Sequence, residues 1–175
     1  MDDANKAIFV RAALRQYEGP LVRYAAAITG EVERARDVVQ DTFVKLCAAD
    51  EEAVGGKVGE WLFTVCRNRA LDVKRKESRM MPISEMQMEV LESGEANPSA
   101  AAEQRESSGA VQRLLAGLPA NQQEVVRLKF QNGLSYREIS RVTNLTVSNV
   151  GFLLHTALKT IRAQMQTEGK AEAKE

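Results

Sequence analysis

Between Leu134 and Leu158 the chain reads LSYREISRVTNLTVSNVGFLLHTAL, an order of signals that few folds accommodate. Ser135 and Glu138 have the S-x-x-E spacing of a capping box, which satisfies the exposed amides at the start of a helix. Ile139 and Val142 then supply a short apolar face. Asn144 falls where the backbone must pass through a left-handed conformation, which Gly and Asn tolerate best. Thr146 can cap a second helix, along which Val147, Val150, Leu154, Ala157 and Ile161 recur at helical spacing. This is the pattern of a helix-turn-helix, whose second helix keeps one flank free for a DNA groove. An ordinary helical hairpin inside a bundle shares it locally, so the rest of the chain must decide.

The remainder is also helical in character. Alanine, glutamate, arginine and leucine are plentiful, and no stretch alternates as a half-buried strand would. The expected fold class is therefore all-α: two small helical domains joined by a flexible acidic linker, the C-terminal one a helix-turn-helix. With 175 residues there is room for one large domain or two small ones. No apolar run approaches the roughly 20 residues that cross a bilayer, and MDDANKAIFV has acids where a signal peptide needs bases. The expectation is a cytoplasmic protein without membrane insertion. Cys47 and Cys66 fall on apolar stripes and read as buried free thiols.

Twenty-four basic and 24 acidic residues cancel, which suits a nucleic-acid binder poorly until the charge is mapped. From Lys57 to Arg79 the bases Lys57, Arg67, Arg69, Lys74, Arg75, Lys76 and Arg79 face only Glu60, Asp72 and Glu77. From Ile83 to Glu106 the sign reverses, with Glu85, Glu89, Glu92, Glu95, Glu103 and Glu106 against Arg105. From Val111 to Arg162 it is basic again. Phosphates respond to this local pattern rather than to the net charge. The acidic stretch holds Ser93, Gly94, Asn97, Pro98 and Ser99, turn formers that also mark a linker. The expected division is a first domain over 1–80, a linker over 81–107, a second domain over 108–166 and a disordered tail over 167–175.

Within the first domain, helices are expected near Asn5 to Tyr17 and Leu21 to Ile28, broken by Gly19-Pro20. A longer helix from Val32 to Ala48 would turn Val32, Ala35, Val39, Phe43 and Leu46 inward, and one from Val58 to about Lys76 would bury Trp61, Leu62, Val65, Cys66, Ala70 and Val73. In the second domain a helix starts at Val111 to Leu115. Pro119 opens another in its first turn, where the missing N–H costs nothing, and that helix runs to Phe130 and ends at Gly133. On the Val32–Ala48 helix, Asp37, Gln40, Asp41 and Val44 share one face by their i, i+3, i+4, i+7 spacing. On the next helix Arg67, Asn68, Lys74, Arg75 and Lys76 form a basic flank containing one amide; bases neutralise phosphates and an amide can pair with a base edge. A solvated polar face and a dipole-complementing helix end are the plainer readings of these two surfaces.

DVVQDTF, GEWLFTVCRNRALDVKRK, LPANQQEVV and GLSYREIS, in that order, resemble an extracytoplasmic-function sigma factor, a small two-domain member of the sigma-70 family of bacterial RNA polymerase subunits. The resemblance runs from about Tyr17 to Arg162. It implies that Asp37, Gln40, Asp41 and Val44 dock on core RNA polymerase. It implies that Arg67, Asn68, Lys74, Arg75 and Lys76 read and hold the minus-10 element of promoter DNA. Arg137, Thr146, Ser148, Asn149, Phe152, His155 and Lys159 would serve the minus-35 element, while Trp61 and Leu62 match a core-packing pair. The loop from Asp50 to Gly59 lies where the family captures an unstacked base. An anti-sigma protein is a further candidate partner.

The chain departs from the family on the recognition helix, where Gly151, Phe152 and Leu153 stand at positions usually occupied by Lys, Ser and Arg. Phe152 and Leu153 are expected to project, suited either to thymine methyl groups or to a protein partner. A free-standing helix-turn-helix regulator with an N-terminal dimerisation module is the competing function; it has no use for the Asp37–Asp41 face. No catalytic residues, metal site or cofactor are expected. The sequence has no Gly-rich phosphate loop, no metal-ligand cluster, and no cysteine or serine placed with its single histidine.

Overall fold

The computed structural model describes residues 3–50, 54, 56–80, 109 and 111–172. Every regular element among them is helical, and the chain divides into two compact units. The linker expected over 81–107 lies outside the described residues.

In the first unit, α1 (Asp3–Thr29), α2 (Val32–Ala48) and α3 (Val58–Met80) pack around one core. The break expected at Gly19-Pro20 does not occur: α1 runs through Pro20. An interior proline costs about 3 kcal/mol in a helix. Ala13, Leu21, Tyr24 and Ala25 nevertheless form one buried stripe across it. Fully burying side chains the size of Leu21 and Tyr24 is worth about 1.5–3 kcal/mol each, so packing offsets the local defect. Gly30, at φ +80°, ends the helix, its N–H donating to the Ala26 carbonyl at 2.9 Å.

The bounds of α2 are those expected, but its buried arc is wider. It packs against both neighbours, so Val38 and Thr42 are buried along with Ala35, Val39, Phe43 and Leu46. Val32, at the first helical position, is 51% exposed instead of inward. Cys47 is exposed, contrary to expectation, because it follows the inward Leu46 and so points about 100° away. Cys66 is a buried free thiol as expected. Burial pushes its pKa up to about 12, against a smaller opposing effect of its hydrogen bond with Thr42.

Helix α3 extends to Met80 rather than stopping near Lys76. Leu62, Cys66 and Ala70 are in the core, whereas Trp61, Val65 and Val73 are only half-buried. Phe63, absent from the expected stripe, is buried edge-on against Tyr24, with ring centroids 5.3 Å apart. At the start of α3, Gly59 lets the Tyr17 ring lie close: a Cβ there would sit 3.1 Å from Tyr17 Cε1.

The second unit begins with helical residues 111–116, followed by buried Leu118 and α4 (Ala120–Val126) with Pro119 as its N-cap. The uninterrupted helix expected up to Phe130 instead widens into a π turn, Arg127–Gln131. The Asn132 N–H reaches back five residues to the Arg127 carbonyl at 3.2 Å, and Gly133 adopts φ +70°. The wider turn keeps Leu128 fully buried and leaves Phe130 60% exposed.

Helices α5 (Tyr136–Thr143) and α6 (Val147–Glu172) form the helix-turn-helix. The capping box is present: the Glu138 N–H donates to Ser135 Oγ at 3.3 Å, and the Ser135 N–H to Glu138 Oε2 at 2.7 Å. Asn144 is left-handed at φ 58°, and Thr146 Oγ1 accepts from the Asn149 N–H at 3.2 Å. Residues 167–172, expected in a disordered tail, continue α6, in keeping with their Ala, Glu and Lys content.

Candidate functional site

Three exposed surfaces collect the side chains singled out by sequence. On α2, Asp37, Gln40 and Val44 are exposed and Asp41 is half-buried beside them. The four share a face turned away from the Ala35, Val39, Leu46 stripe. Asp41 does not stand alone: its Oδ2 accepts from Arg69 Nε on α3 at 2.8 Å. Two turns earlier on α2, Arg34 pairs through NH1 with Glu77 of α3 at 2.7 Å and through Nε with Glu31 at 2.7 Å. The partners lie seven residues apart on α2 and eight on α3, spans of about 10 and 12 Å. Two ion pairs thus pin the antiparallel seam between these helices at matched intervals.

On α3, Asn68, Lys74, Arg75 and Lys76 are exposed and Arg67 is half-buried. Arg67 with Lys74 and Asn68 with Arg75 are seven residues apart, so each pair lies within about 20° around the helix axis, and the two rows stand about 100° apart. Arg75 also pairs with Asp72 at 3.2 Å, an exposed contact of little energetic weight. Asn68 therefore shares a row with Arg75, while Arg67 with Lys74 and Lys76 lie to either side of it around the helix. Of the loop from Asp50 to Gly59, residues 51–53 and 55 lie outside the described residues, while Val54 is buried.

On α6, Ser148, Phe152, His155 and Lys159 are exposed within an arc of about 60°, with Asn149 exposed about 60° beyond it. Thr146 is engaged as the helix cap, and Arg137 is exposed on α5. Phe152 projects as expected, at 66% exposure. Leu153 does not: it is buried at 6%, completing with Val150, Leu154 and Ala157 an i, i+3, i+4, i+7 stripe. Only one large apolar side chain of that pair therefore faces outward.

Three further residues escape a reading of sequence spacing. Arg69 was counted only as charge, and its pairing across 28 positions is a tertiary fact. Tyr136 lies over Gly151, where a Cβ would meet its ring at 3.7 Å, and Lys129 Nζ sits 5.6 Å from the ring centroid. The one available signal was a glycine in mid-helix, which usually has a packing reason. Arg127 is half-buried and donates to Gln123 Oε1 at 2.9 Å; desolvation lowers its pKa from the usual arginine value.

Residues 13–80 match Sigma-70 region 2, and residues 108–161 match Sigma-70, region 4. The chain belongs to the sigma-70 family, in its extracytoplasmic-function (ECF) group. Curated relatives agree in length as well as order. The ECF RNA polymerase sigma factor SigL of Mycobacterium tuberculosis is 29% identical over 177 residues, covering 95% of this chain and 94% of its own. SigM of Bacillus subtilis is 26% identical over 150 residues, covering 85% of this chain and 90% of its own. Among solved structures, the sigma factor RpoE crystallised with the anti-sigma factor NepR, from Bartonella quintana, matches with a TM-score of 0.68. It shares 20% sequence identity and covers 90% of this ECF sigma factor and 96% of its own chain, a likeness of fold. In this sigma factor region 2 spans most of α1 with α2 and α3, and region 4 contains the helix-turn-helix. Among the described residues no helix is long and apolar enough to cross a membrane, and no group of three His, Cys, Asp or Glu could hold a metal ion.

Proposed function

We propose that this chain is an alternative sigma factor that binds core RNA polymerase and directs promoter-specific initiation of transcription. The observation that carries this is the succession of region 2 and region 4 on one chain. A free-standing regulator would need its N-terminal helices for dimerisation, yet those helices match region 2, so that alternative is not favoured. The protein acts as a regulatory subunit, contributing binding and base reading rather than a reaction of its own, and it works in the cytoplasm with the polymerase. Run-off transcription with purified cognate core polymerase tests this. Promoter-dependent transcripts are expected, and none above core polymerase alone would overturn it.

Within that function the three surfaces take separate tasks. The α2 face of Asp37, Gln40, Asp41 and Val44 docks on polymerase. The α3 flank of Arg67, Asn68, Lys74, Arg75 and Lys76 serves the minus-10 element. Arg137, Thr146, Ser148, Asn149, Phe152, His155 and Lys159 serve the minus-35 element. The acidic segment 81–107 joins domains over 1–80 and 108–166. An anti-sigma protein is a candidate partner, by likeness to the RpoE complex.

The α3 assignment separates base reading from phosphate holding. Asn68→Ala should lower transcription selectively at certain minus-10 bases, since a good base-edge contact discriminates by about 1–3 kcal/mol. Lys74→Ala should weaken all minus-10 variants alike and reduce the slope of log affinity against log salt by about one phosphate's worth. Promoter-variant transcription and salt titrations measure both; a uniform loss for Asn68→Ala would make it a backbone or packing residue.

A further inference from the structure

We infer that Arg69 is a positioning residue for polymerase docking, acting through Asp41; this rests on the proposed docking role of the α2 face. Arg69 Nε donates to Asp41 Oδ2 at 2.8 Å from the neighbouring helix, and the side chains are 37% and 48% exposed. Among the described residues the other carboxylate oxygen has no partner, and a carboxylate accepts several hydrogen bonds at once. Asp41 is therefore held in one orientation without being used up. An aspartate on an open helix face would otherwise spread over several rotamers, and ordering it on binding would weaken association.

The pairing joins two helices whose spacing is set by their shared core, although the contact itself lies at the surface. Arg34 and Glu77 close the same seam two turns away, so α2 and α3 cannot slide without breaking both pairs. Asp37 and Gln40, on the same face of α2, have no such tether among the described residues. The face thus presents one fixed acceptor and two free polar groups. Arg69 also follows Asn68 directly, which ties the docking face on α2 to the helix assigned to the minus-10 element.

The test is a double-mutant cycle on the full-length chain, reading the Kd for purified cognate core polymerase. Asp41→Ala should weaken binding about 10-fold and Arg69→Ala about 3- to 5-fold. If Arg69 acts through Asp41, the double mutant should match Asp41→Ala within about 2-fold, because the second change removes nothing further. Arg69→Lys, which keeps the charge but not the Nε donor, should recover only part of the loss. Melting temperatures should stay near the parent value, since exposed ion pairs add little stability. Additive losses in the cycle, or a matching fall in melting temperature, would make Arg69 an independent contact or a structural residue. Unchanged core binding by Arg69→Ala with weaker promoter binding by the assembled holoenzyme would assign it to DNA and overturn the inference. If Asp41→Ala binds core polymerase normally, the docking reading fails, and this inference with it.

Discussion

The chain carrying both Asp37→Lys and Asp41→Lys will fail to co-purify with core polymerase. The two changes replace acids with bases on one exposed face of α2, and a surface complementary to acids would then meet like charge. Such juxtapositions cost several kcal/mol in a tight contact, and each 1.4 kcal/mol is tenfold in affinity, so a loss on the order of 100-fold or more is expected. Asp41→Lys also removes the Arg69 partner and sets two bases side by side. A thermal melt must therefore accompany the pull-down. The pair is substantially exposed, which predicts a melting temperature only slightly lowered. Co-purification at the parent yield would remove this face from the docking surface.

The second large effect is expected at Phe152. Its side chain is 66% exposed on the arc shared with Ser148, His155 and Lys159, and the Leu153 side chain beside it is turned into the core. An exposed ring on the helix proposed to serve the minus-35 element suits the thymine methyl group, the apolar mark of the major groove. Phe152→Lys should therefore lose its preference for thymine at one minus-35 position, while gaining sequence-independent affinity that is more sensitive to salt. Stability should stay within about 0.5 kcal/mol, as at other surface positions. Competition binding against a set of minus-35 variants measures the change. Unaltered base preference together with weaker binding of an anti-sigma protein would assign Phe152 to that partner. A large drop in melting temperature would make it a core residue.

What was legible in the sequence was what is local. Ser135 with Glu138, Asn144 and Thr146 form contacts within three residues or answer to their own backbone, so their spacing alone announces the helix-turn-helix. The bounds of α2 were legible for the same reason. Pro20 does not break α1 because its cost is local while the compensation comes from tertiary packing on Leu21 and Tyr24. The choice of Trp61 over Phe63 failed similarly: both lie near the apolar stripe, and only the position of Tyr24 decides which is enclosed. Leu153 was expected outward because Val150 and Leu154 already formed a stripe, but a helix buried against neighbours takes a wider arc. The three surfaces were legible as spacings, since i, i+3, i+4 and i+7 fix a shared face in any helix. The Arg69–Asp41 pair was not, because no periodicity connects residues on separate helices.

The two thiols have very different chemistries. Burial pushes the pKa of the Cys66 thiol up to about 12, so it stays protonated at pH 7, and it is shielded from reagents as well. Cys47 is exposed on α2, one turn beyond Val44. A maleimide dye added to the native protein would therefore attach almost wholly at Cys47, next to the face assigned to polymerase. The unmodified sequence thus carries one readily labelled thiol beside the face proposed to dock on polymerase.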